Sequence, residues 1–294
     1  MDTDQYYTQG FKLAYLHTDN HVPDWVKNLS ETIPALGYAV HANRIGLQAG
    51  QDIYTPSDIN SANLLPHDRP YAGWLYAGFI FQRLGLTSSQ RPVLENLQLN
   101  LGVIGPESLA EEAQAWAHNN DPQGWTHQLK TEPGVALQYQ RSWLFSPSAY
   151  DRARYLDFIP YTGLSLGNVD TSFRAGGIIR LGVNLPDDFG QQTIHSLTTT
   201  GGGWSGTRRA ERSGFYVYVR AEGRAVGYST FLNGNLWRDS NSVTPEPLVG
   251  EFAGGIALVL PRFEVTISGV YTTPEFTTQP EYHAYGSLGL KFNL

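Results

Sequence analysis

The sequence contains no cysteine and only one methionine. It therefore excludes disulfide bonds, thiolate metal ligands and a cysteine nucleophile. Charged residues are also scarce, at 16% of the chain, whereas soluble domains usually carry about a quarter. The formal net charge is −7, so the chain offers no basic surface for nucleic acid, and we expect no nucleic-acid partner.

Long apolar runs and common enzyme motifs are absent too. No stretch of about 18 consecutive apolar residues exists, which excludes a transmembrane helix, and the mean hydropathy is −0.31. Met1 is followed by acidic and polar residues instead of a basic and then apolar segment, so an exported protein would be a processed or trimmed form. The sequence has no Gly-x-Ser-x-Gly elbow, no His-Glu-x-x-His and no phosphate-binding glycine loop.

Aromatic residues and glycine, in contrast, are abundant. The chain has 17 Tyr, 13 Phe, 7 Trp and 31 Gly, and apolar and polar residues alternate with a period of two along almost its whole length. The alternation is clearest at the C-terminus, where one face would carry Ala284, Gly286, Leu288, Leu290, Phe292 and Leu294. Strands of outer-membrane β-barrels alternate in this way, and aromatic residues mark both interfaces of such barrels. The pattern predicts an all-β transmembrane antiparallel barrel.

The alternation divides the chain into about eleven strands of one domain, residues 1–294. We predict strands at 6–16, 38–53, 71–84, 93–104, 133–145, 154–168, 172–185, 213–228, 246–260, 262–275 and 281–294. Single-chain bacterial barrels have even strand numbers, so we expect that the first strand is missing. We also expect short turns on one side of the barrel and long loops on the other. One long loop, about 105–130, should contain a short helix over 107–117, because Gly-Pro-Glu is a typical helix start.

Five short stretches are more specific than the alternation around them. They are residues 6–10 (YYTQG), 51–56 (QDIYTP), 68–74 (DRPYAGW), 101–106 (LGVIGP) and 123–134 (QGWTHQLKTEPG). In this order and at this spacing they resemble the lipid A 3′-O-deacylases of the LpxR type. The resemblance covers nearly the whole chain and is densest over residues 6–143.

The resemblance implies an integral outer-membrane barrel of twelve strands that uses calcium to hydrolyse an acyl ester of lipid A in the outer leaflet. Lipid A and membrane lipid are then the partners, and no obligate protein partner is evident. In the family, the first strand supplies an adjacent Asn-Asp pair to the site, and nothing matching it precedes Asp4. The metal ligands stay unknown, with Asp52, Glu107 and Glu111 as possible helpers.

Three residues match or replace catalytic residues of the family. His118 matches the catalytic histidine at the end of the loop helix, where an imidazole can deprotonate water; alternatively, it is an exposed helix-end histidine. Thr8 matches the site threonine, and the alternation turns it to the lumen, where it either assists the reaction or joins a hydrogen-bond network. Asp121 would replace the glutamate that orients the histidine, although Asp before Pro is more often a turn residue.

Substrate contacts are expected at Asp68 and Arg69. These two residues could bind lipid phosphate, or they could form a structural salt bridge inside the barrel. The family's site lysine has no clear match, since Asn60 and Ser61 stand at that place. Two other functions remain open: a passive pore or structural barrel without catalysis, and a phospholipase of similar mechanism.

Overall fold

The alternating segments form eleven long strands. In the computed structural model, residues 6–17, 22–117, 122–147, 154–190 and 213–292 are described. The strands are β1 (Tyr6–Leu16), β2 (Ala39–Thr55), β3 (Ala72–Leu86), β4 (Pro92–Ile104), β5 (Glu132–Trp143), β6 (Leu156–Gly167), β7 (Asp170–Val183), β8 (Gly214–Ser229), β9 (Leu248–Val259), β10 (Phe263–Thr272) and β11 (His283–Phe292). Every predicted strand is present, and its bounds differ from the predicted ones by at most three residues.

The strands form a single antiparallel sheet in chain order, from β1 to β11. The sheet curls until its two edge strands meet: the Tyr7 and Tyr285 rings lie 4.9 Å apart, and His283 Nε2 lies 3.2 Å from the carbonyl oxygen of Tyr7. In the described part of the chain, β1 and β11 do not pair by a ladder. The fold is a nearly closed β-barrel, as the alternation predicts.

The outer face of the barrel carries a band of apolar side chains between two aromatic girdles. We call the end at which β2 ends and β3 begins the upper end, and the opposite one the lower end. Aromatic side chains exposed near the lower end are Tyr15, Phe158, Phe215, Phe263 and Phe292. Those near the upper end are Phe173, Phe252, Tyr271 and Tyr282. Exposed aliphatic and aromatic residues between them include Leu13, Leu47, Phe79, Ile179, Val219, Ile256, Ile267 and Leu288. This arrangement is that of a lipid-facing wall.

The inside of the barrel is filled in three layers. Along β4 the inward positions change from Leu94 near the lower end, through Asn96, Gln98 and Asn100, to Ile104 at the upper end, and all five are buried. The apolar residues at each end join larger clusters of buried side chains. A polar layer is therefore enclosed between two apolar ones.

Segments between the strands complete both apolar layers. The short helix α3 (Thr230–Asn233) places Phe231 in the upper layer, where its ring stacks on Tyr54 at 4.2 Å. The segment 184–190 places Leu185 and Phe189 in the lower layer. Within this segment Asp188 forms a 2.5 Å ion pair with the buried Arg180 of β7.

Two further helices lie outside the barrel. The helix α1 (Asp24–Thr32) follows β1, in a region that the sequence pattern predicts to be loop. The helix α2 (Ala110–Ala117) follows a short 3-10 helix (Pro106–Ser108), and the two together replace the single helix predicted over 107–117. None of the helices in the described ranges is long and apolar enough to span a membrane.

The prediction that short turns lie on one side and long loops on the other is wrong. The long connections 17–38 and 184–213 join strands that meet at the lower end, whereas 56–71 and 105–131 join strands that meet at the upper end. Tight links likewise occur at both ends, since 168–169 is an upper link and 260–262 a lower one. The lower segments 184–190 and 22–38 pack against the barrel, one inside and one outside, so their length supplies packing surface.

Candidate functional site

The connection 105–131, here called the site segment, folds down over the outer face of β2 and β3. The Gln51 side-chain amide of β2 donates a 2.6 Å hydrogen bond to the carbonyl oxygen of Ser108. Ile53 also faces outward from β2, yet it is 1% exposed because Ala110, Tyr71 and Trp125 cover it. The site segment therefore lies against the part of the wall that would otherwise meet lipid.

Two glycines allow this close approach. A Cβ atom on Gly73 of β3 would lie 2.0 Å from Ser108 Oγ and 2.3 Å from Ala110 Cβ, so the wall needs glycine where the segment crosses it. Gly105 has a φ of +91°, a conformation that side-chain-bearing residues rarely adopt. It turns the chain at the end of β4, and its carbonyl accepts a 2.6 Å hydrogen bond from the Ser108 hydroxyl.

The 3-10 helix and α2 are separate because the chain reverses its twist at Leu109. Leu109 is left-handed, with a φ of +58°, and its N–H bonds to the Pro106 carbonyl to close the 3-10 turn. A left-handed residue ends a helix, so α2 begins anew at Ala110. The left-handed conformation of Leu109 thus separates the axes of the two helices. α2 runs from Ala110 to Ala117.

A buried aromatic pair fixes the returning half of the site segment. The Trp125 ring lies 4.8 Å from the Tyr71 ring, and its indole N–H donates a 2.9 Å hydrogen bond to Gln114 Oε1 of α2. Burial raises the pKa of the Tyr71 hydroxyl to about 12, so it stays protonated at neutral pH. Leu129 N–H then bonds to the Tyr71 carbonyl at 2.9 Å. α2 is thus held between the wall and the Trp125 region.

Thr8 faces the outer side of the wall rather than the lumen, and the expectation of a lumen-facing hydroxyl is wrong. The pairing of β1 with β2 shifts by one residue between Tyr7 and Gln9, so a β-bulge interrupts the alternation at Thr8. Thr8 Oγ1 lies 2.6 Å from Thr55 Oγ1. Thr55 is on the opposite face of β2 from Tyr54, which stacks inside the barrel. Thr8 is therefore on the face that the site segment covers.

His118 and Asp121 lie outside the described residues. On the N-terminal side, α2 ends at Ala117, immediately before His118, and Trp125 bonds to Gln114 of this helix. On the C-terminal side, the described residues begin again at Pro122, and the Gln123 N–H bonds to the Ile59 carbonyl at 2.9 Å. Their catalytic roles stay predictions.

Asp68 and Arg69 lie at the upper rim but do not pair through their side chains. Asp68 Oδ2 accepts hydrogen bonds from the Ser57 N–H and hydroxyl, at 2.8 and 2.6 Å. The Arg69 side chain is 1% exposed, pairs with Glu275 at 2.9 Å and lies 4.6 Å above the centre of the Tyr54 ring. Arg69 thus makes an ion pair inside the barrel mouth, with a partner 206 positions away. Substrate binding by the two residues stays a prediction.

A clamp between two loops is part of the site that sequence reasoning missed. The side-chain amide of Asn235 bonds to both the N–H and the carbonyl of Lys130, each at 2.8 Å. Glu132, the first residue of β5, accepts hydrogen bonds from the backbone N–H groups of Leu236 and Trp237, at 3.1 and 3.3 Å. The loop 230–247 therefore crosses the barrel mouth and fixes the end of the site segment. No local sequence pattern predicts contacts between residues more than a hundred positions apart.

The acidic residues expected to help bind calcium do not converge. Glu107 accepts a hydrogen bond from the Thr131 hydroxyl, which lowers its pKa, and Glu111 Oε2 lies 3.4 Å from the Gln128 amide. Asp52 faces the barrel interior and accepts a hydrogen bond from the Tyr7 hydroxyl. Among the residues the structure describes, no three His, Asp or Glu side chains are grouped to hold a metal ion. This donor set does not fit calcium, which takes six to eight oxygen ligands.

Comparison with known proteins agrees with the architecture. The family model "Outer membrane protein LpxR" matches residues 1–294. Among solved structures, "LpxR from Salmonella typhimurium" superposes with a TM-score of 0.76 at 20% sequence identity, over 98% of this chain and 90% of that one. A search of the curated proteins gave no match. The family match over the full length, on a nearly closed barrel with a lipid-facing wall, shows that the chain belongs to the LpxR family of integral outer-membrane proteins.

Proposed function

We propose that this protein is a lipid A deacylase that hydrolyses the 3′-O-linked acyloxyacyl ester of lipid A in the outer leaflet of the outer membrane. Family membership supports an enzyme of this class. The observation that carries the proposal is the position of α2. This helix leads directly to His118 and is packed on the outer, lipid-side face of the wall, the same face that bears the Thr8 hydroxyl.

A site on this face suits a substrate that does not leave the membrane. Lipid A keeps its acyl chains in the leaflet, so an enzyme that acts on it must present its reacting groups beside the lipid-facing band. Leu109 and Trp116 of the site segment are 53% and 90% exposed and can contact such chains. A site at the upper rim would then place the ester near the headgroup, on the outer side of the wall.

In the proposed reaction, neutral His118 takes a proton from a water molecule as the water oxygen attacks the ester carbonyl. The tetrahedral intermediate carries a negative oxygen, and the Thr8 hydroxyl donates a hydrogen bond to it. The bond between the acyl carbon and the sugar 3′-oxygen then breaks, and His118 gives its proton to that oxygen. Asp121 orients the imidazole. The products are an acyloxyacyl fatty acid and lipid A with a free 3′-hydroxyl.

The test is mass spectrometry of lipid A after exposure to the folded protein in vesicles. We expect one acyloxyacyl group to be lost, and His118→Ala to reduce the rate at least about 10²-fold, because general-base catalysis contributes on this scale. His127→Ala is the matched control, since His127 lies in the same segment in the 3-10 helix Trp125–His127. Both variants should keep the heat-dependent gel mobility of a folded barrel.

Three outcomes would decide against parts of the proposal. An unchanged lipid A profile with the wild-type protein would refute deacylation. Acyl release from phospholipid but not from lipid A would assign the site to a phospholipase. Calcium dependence is a prediction of the family resemblance alone; full activity in the presence of a chelator would refute it.

A further inference from the structure

The segment that joins β1 to β2 wraps around the outside of the barrel at its lower end. Its described part, residues 22–38, is here called the collar and contains α1. Val26 and Ser30, one helical turn apart on α1, and Val22, just before the helix, are all buried, so this side of the collar faces the wall. The Ser30 hydroxyl donates a 2.7 Å hydrogen bond to Asn43 Oδ1 of β2. The collar is therefore packed on the wall rather than free beside it.

Beneath the collar the wall carries charge where lipid-facing residues are expected. On β1, β6, β8, β10 and β11 the lower girdle is aromatic, whereas the comparable outward positions of β2, β3 and β4 are Asn43, Arg83 and Glu95. Charged side chains on the lipid face of a barrel are destabilising. These charges are shielded instead: Arg83 and Glu95 are 5% and 7% exposed in their side chains and pair with each other.

The collar supplies the groups that complete this charge pair. Arg83 Nη1 donates hydrogen bonds to the carbonyl oxygens of Ile33 and Ser30, at 2.7 and 3.2 Å, at the C-terminal end of α1. A cation is favourable there because the last carbonyls of a helix lack partners. The Tyr38 hydroxyl donates a 2.5 Å hydrogen bond to Glu95 Oε2. Arg141 of β5 likewise bonds to the carbonyl oxygen of Leu36.

The exposed positions of the collar carry both apolar and charged side chains: Trp25, Ile33 and Leu36 are apolar, whereas Asp24, Lys27 and Glu31 are charged. Trp25 and Leu36 are 68% and 72% exposed, and Ile33 lies between them in sequence and is also exposed. Directly above the collar, the same strands expose Leu47 and Phe79 in the lipid-facing band. Trp25, Ile33 and Leu36 thus supply apolar surface at the level where the lower aromatic girdle of these strands is interrupted.

We propose that the collar is a lipid-binding element that lies in the headgroup region of the leaflet at the lower end, with Trp25, Ile33 and Leu36 inserted at the boundary of the acyl chains. Tryptophan favours this depth, and amphipathic helices lie in this plane. The collar therefore has two roles. Its inner side provides hydrogen bonds to Arg83 and Glu95. Its outer side anchors the barrel in the leaflet opposite the site segment.

The absence of cysteine allows a direct test by site-specific labelling. Leu36→Cys, carrying an environment-sensitive fluorophore, is folded into phosphatidylcholine vesicles that contain lipids with a nitroxide either near the headgroup or deep in the acyl chain. We expect strong quenching by the shallow nitroxide and weak quenching by the deep one. Leu47→Cys is the reference for the lipid-facing band and should be quenched by the deep nitroxide. Ser89→Cys, in the lower turn 87–91, is the water-exposed control.

The outcomes distinguish lipid from water or a second copy of the chain at the outer side of the collar. Quenching at Leu36 no stronger than at Ser89 would overturn the proposal. Loss of quenching as the protein-to-lipid ratio rises would show that a second copy covers the collar, and would also overturn it. The lipid A assay is independent, because the collar and the site segment lie at opposite ends of the barrel; Trp25→Ala with Leu36→Ala should leave deacylation unchanged.

Discussion

The Thr8 side chain shows how a single extra residue can decide which face of a barrel wall carries a functional group. The bulge between Tyr7 and Gln9 leaves Tyr7 inside the barrel, where its hydroxyl bonds to Asp52, and brings Thr8 beside Thr55 on the outer side. The hydroxyl oxygens of Thr8 and Thr55 lie 2.6 Å apart, so one hydroxyl donates a hydrogen bond to the other.

We predict that Thr8→Val lowers the rate of acyl release about 10²-fold, the usual effect of removing one donor from an oxyanion site. Valine has nearly the shape of threonine, so the barrel should fold normally. Thr266→Val, which removes a buried hydroxyl from β10, is the matched control. The measurement is the initial rate of fatty-acid release in vesicles; an unchanged rate would leave Thr8 a structural residue.

Arg69 lies at the rim of the barrel, yet its side chain is buried. We expect Arg69→Met to lower the free energy of unfolding by about 3 kcal/mol, because it removes the buried guanidinium that pairs with Glu275 at 2.9 Å. Arg262→Met, in the exposed turn 260–262, should have little effect. Heat-dependent gel mobility measures the stability, and initial rates give the KM. A raised KM with unchanged stability would support phosphate binding by Arg69 instead.

At the scale of elements, the site segment is stabilised from three sides, by the wall, by Trp125 and by the loop 230–247. Its α2 is short, and isolated helices of this length are unstable in water. Its order therefore depends on packing: Ala110 of α2 lies on Ile53 of the wall, Trp125 bonds to Gln114 of α2, and Asn235 holds the end of the site segment. The packing therefore fixes α2 up to Ala117 against the wall.

Trp125→Ala should therefore loosen the site segment without unfolding the barrel. Truncation of a buried tryptophan costs about 3–5 kcal/mol, and the loss should fall on the segment because the strands pair independently of it. Limited proteolysis between residues 105 and 131 should accelerate, and deacylation should fall. Trp116→Ala, on the same segment but 90% exposed, should leave proteolysis unchanged. Unfolding of the whole barrel in Trp125→Ala would contradict this division.

At the scale of the whole molecule, the filled interior favours an enzyme on the barrel wall over a pore through the barrel. The described side chains close the lumen at two levels, with Phe231 and Trp74 in the upper apolar layer and Phe189 and Tyr216 in the lower one. Between them lies a polar layer in which Gln48 bonds to Gln98 at 3.0 Å. Ions would have to pass both apolar layers.

We predict no large, stable conductance for the protein in planar bilayers. Phe231→Ala should not create one, because the lower layer remains. A wide porin measured in the same bilayers provides the positive control. Steady single-channel currents from the purified protein would contradict the closed interior and would support the pore alternative.

The sequence by itself determined the strands, the barrel class and the family. Alternation of lipid-facing and inward residues is a local property with a period of two, so it can be read wherever both environments persist, as along β10 and β11. The helix start at Gly105-Pro106 was likewise local. The missing first strand stays a prediction; in the described residues, β1 and β11 are the two edges of the sheet.

Only the tertiary structure decided which groups meet. The bulge at Thr8 depends on the register with β2, and the partner of Arg69 lies 206 positions away. The collar is held by charged side chains of three strands, β3, β4 and β5. None of these contacts has a local signature, because each joins residues that are distant in the chain and adjacent only after the sheet has curled. The physical reason is that alternation fixes the face of a side chain, whereas closure of the barrel and folding of the loops fix its neighbours.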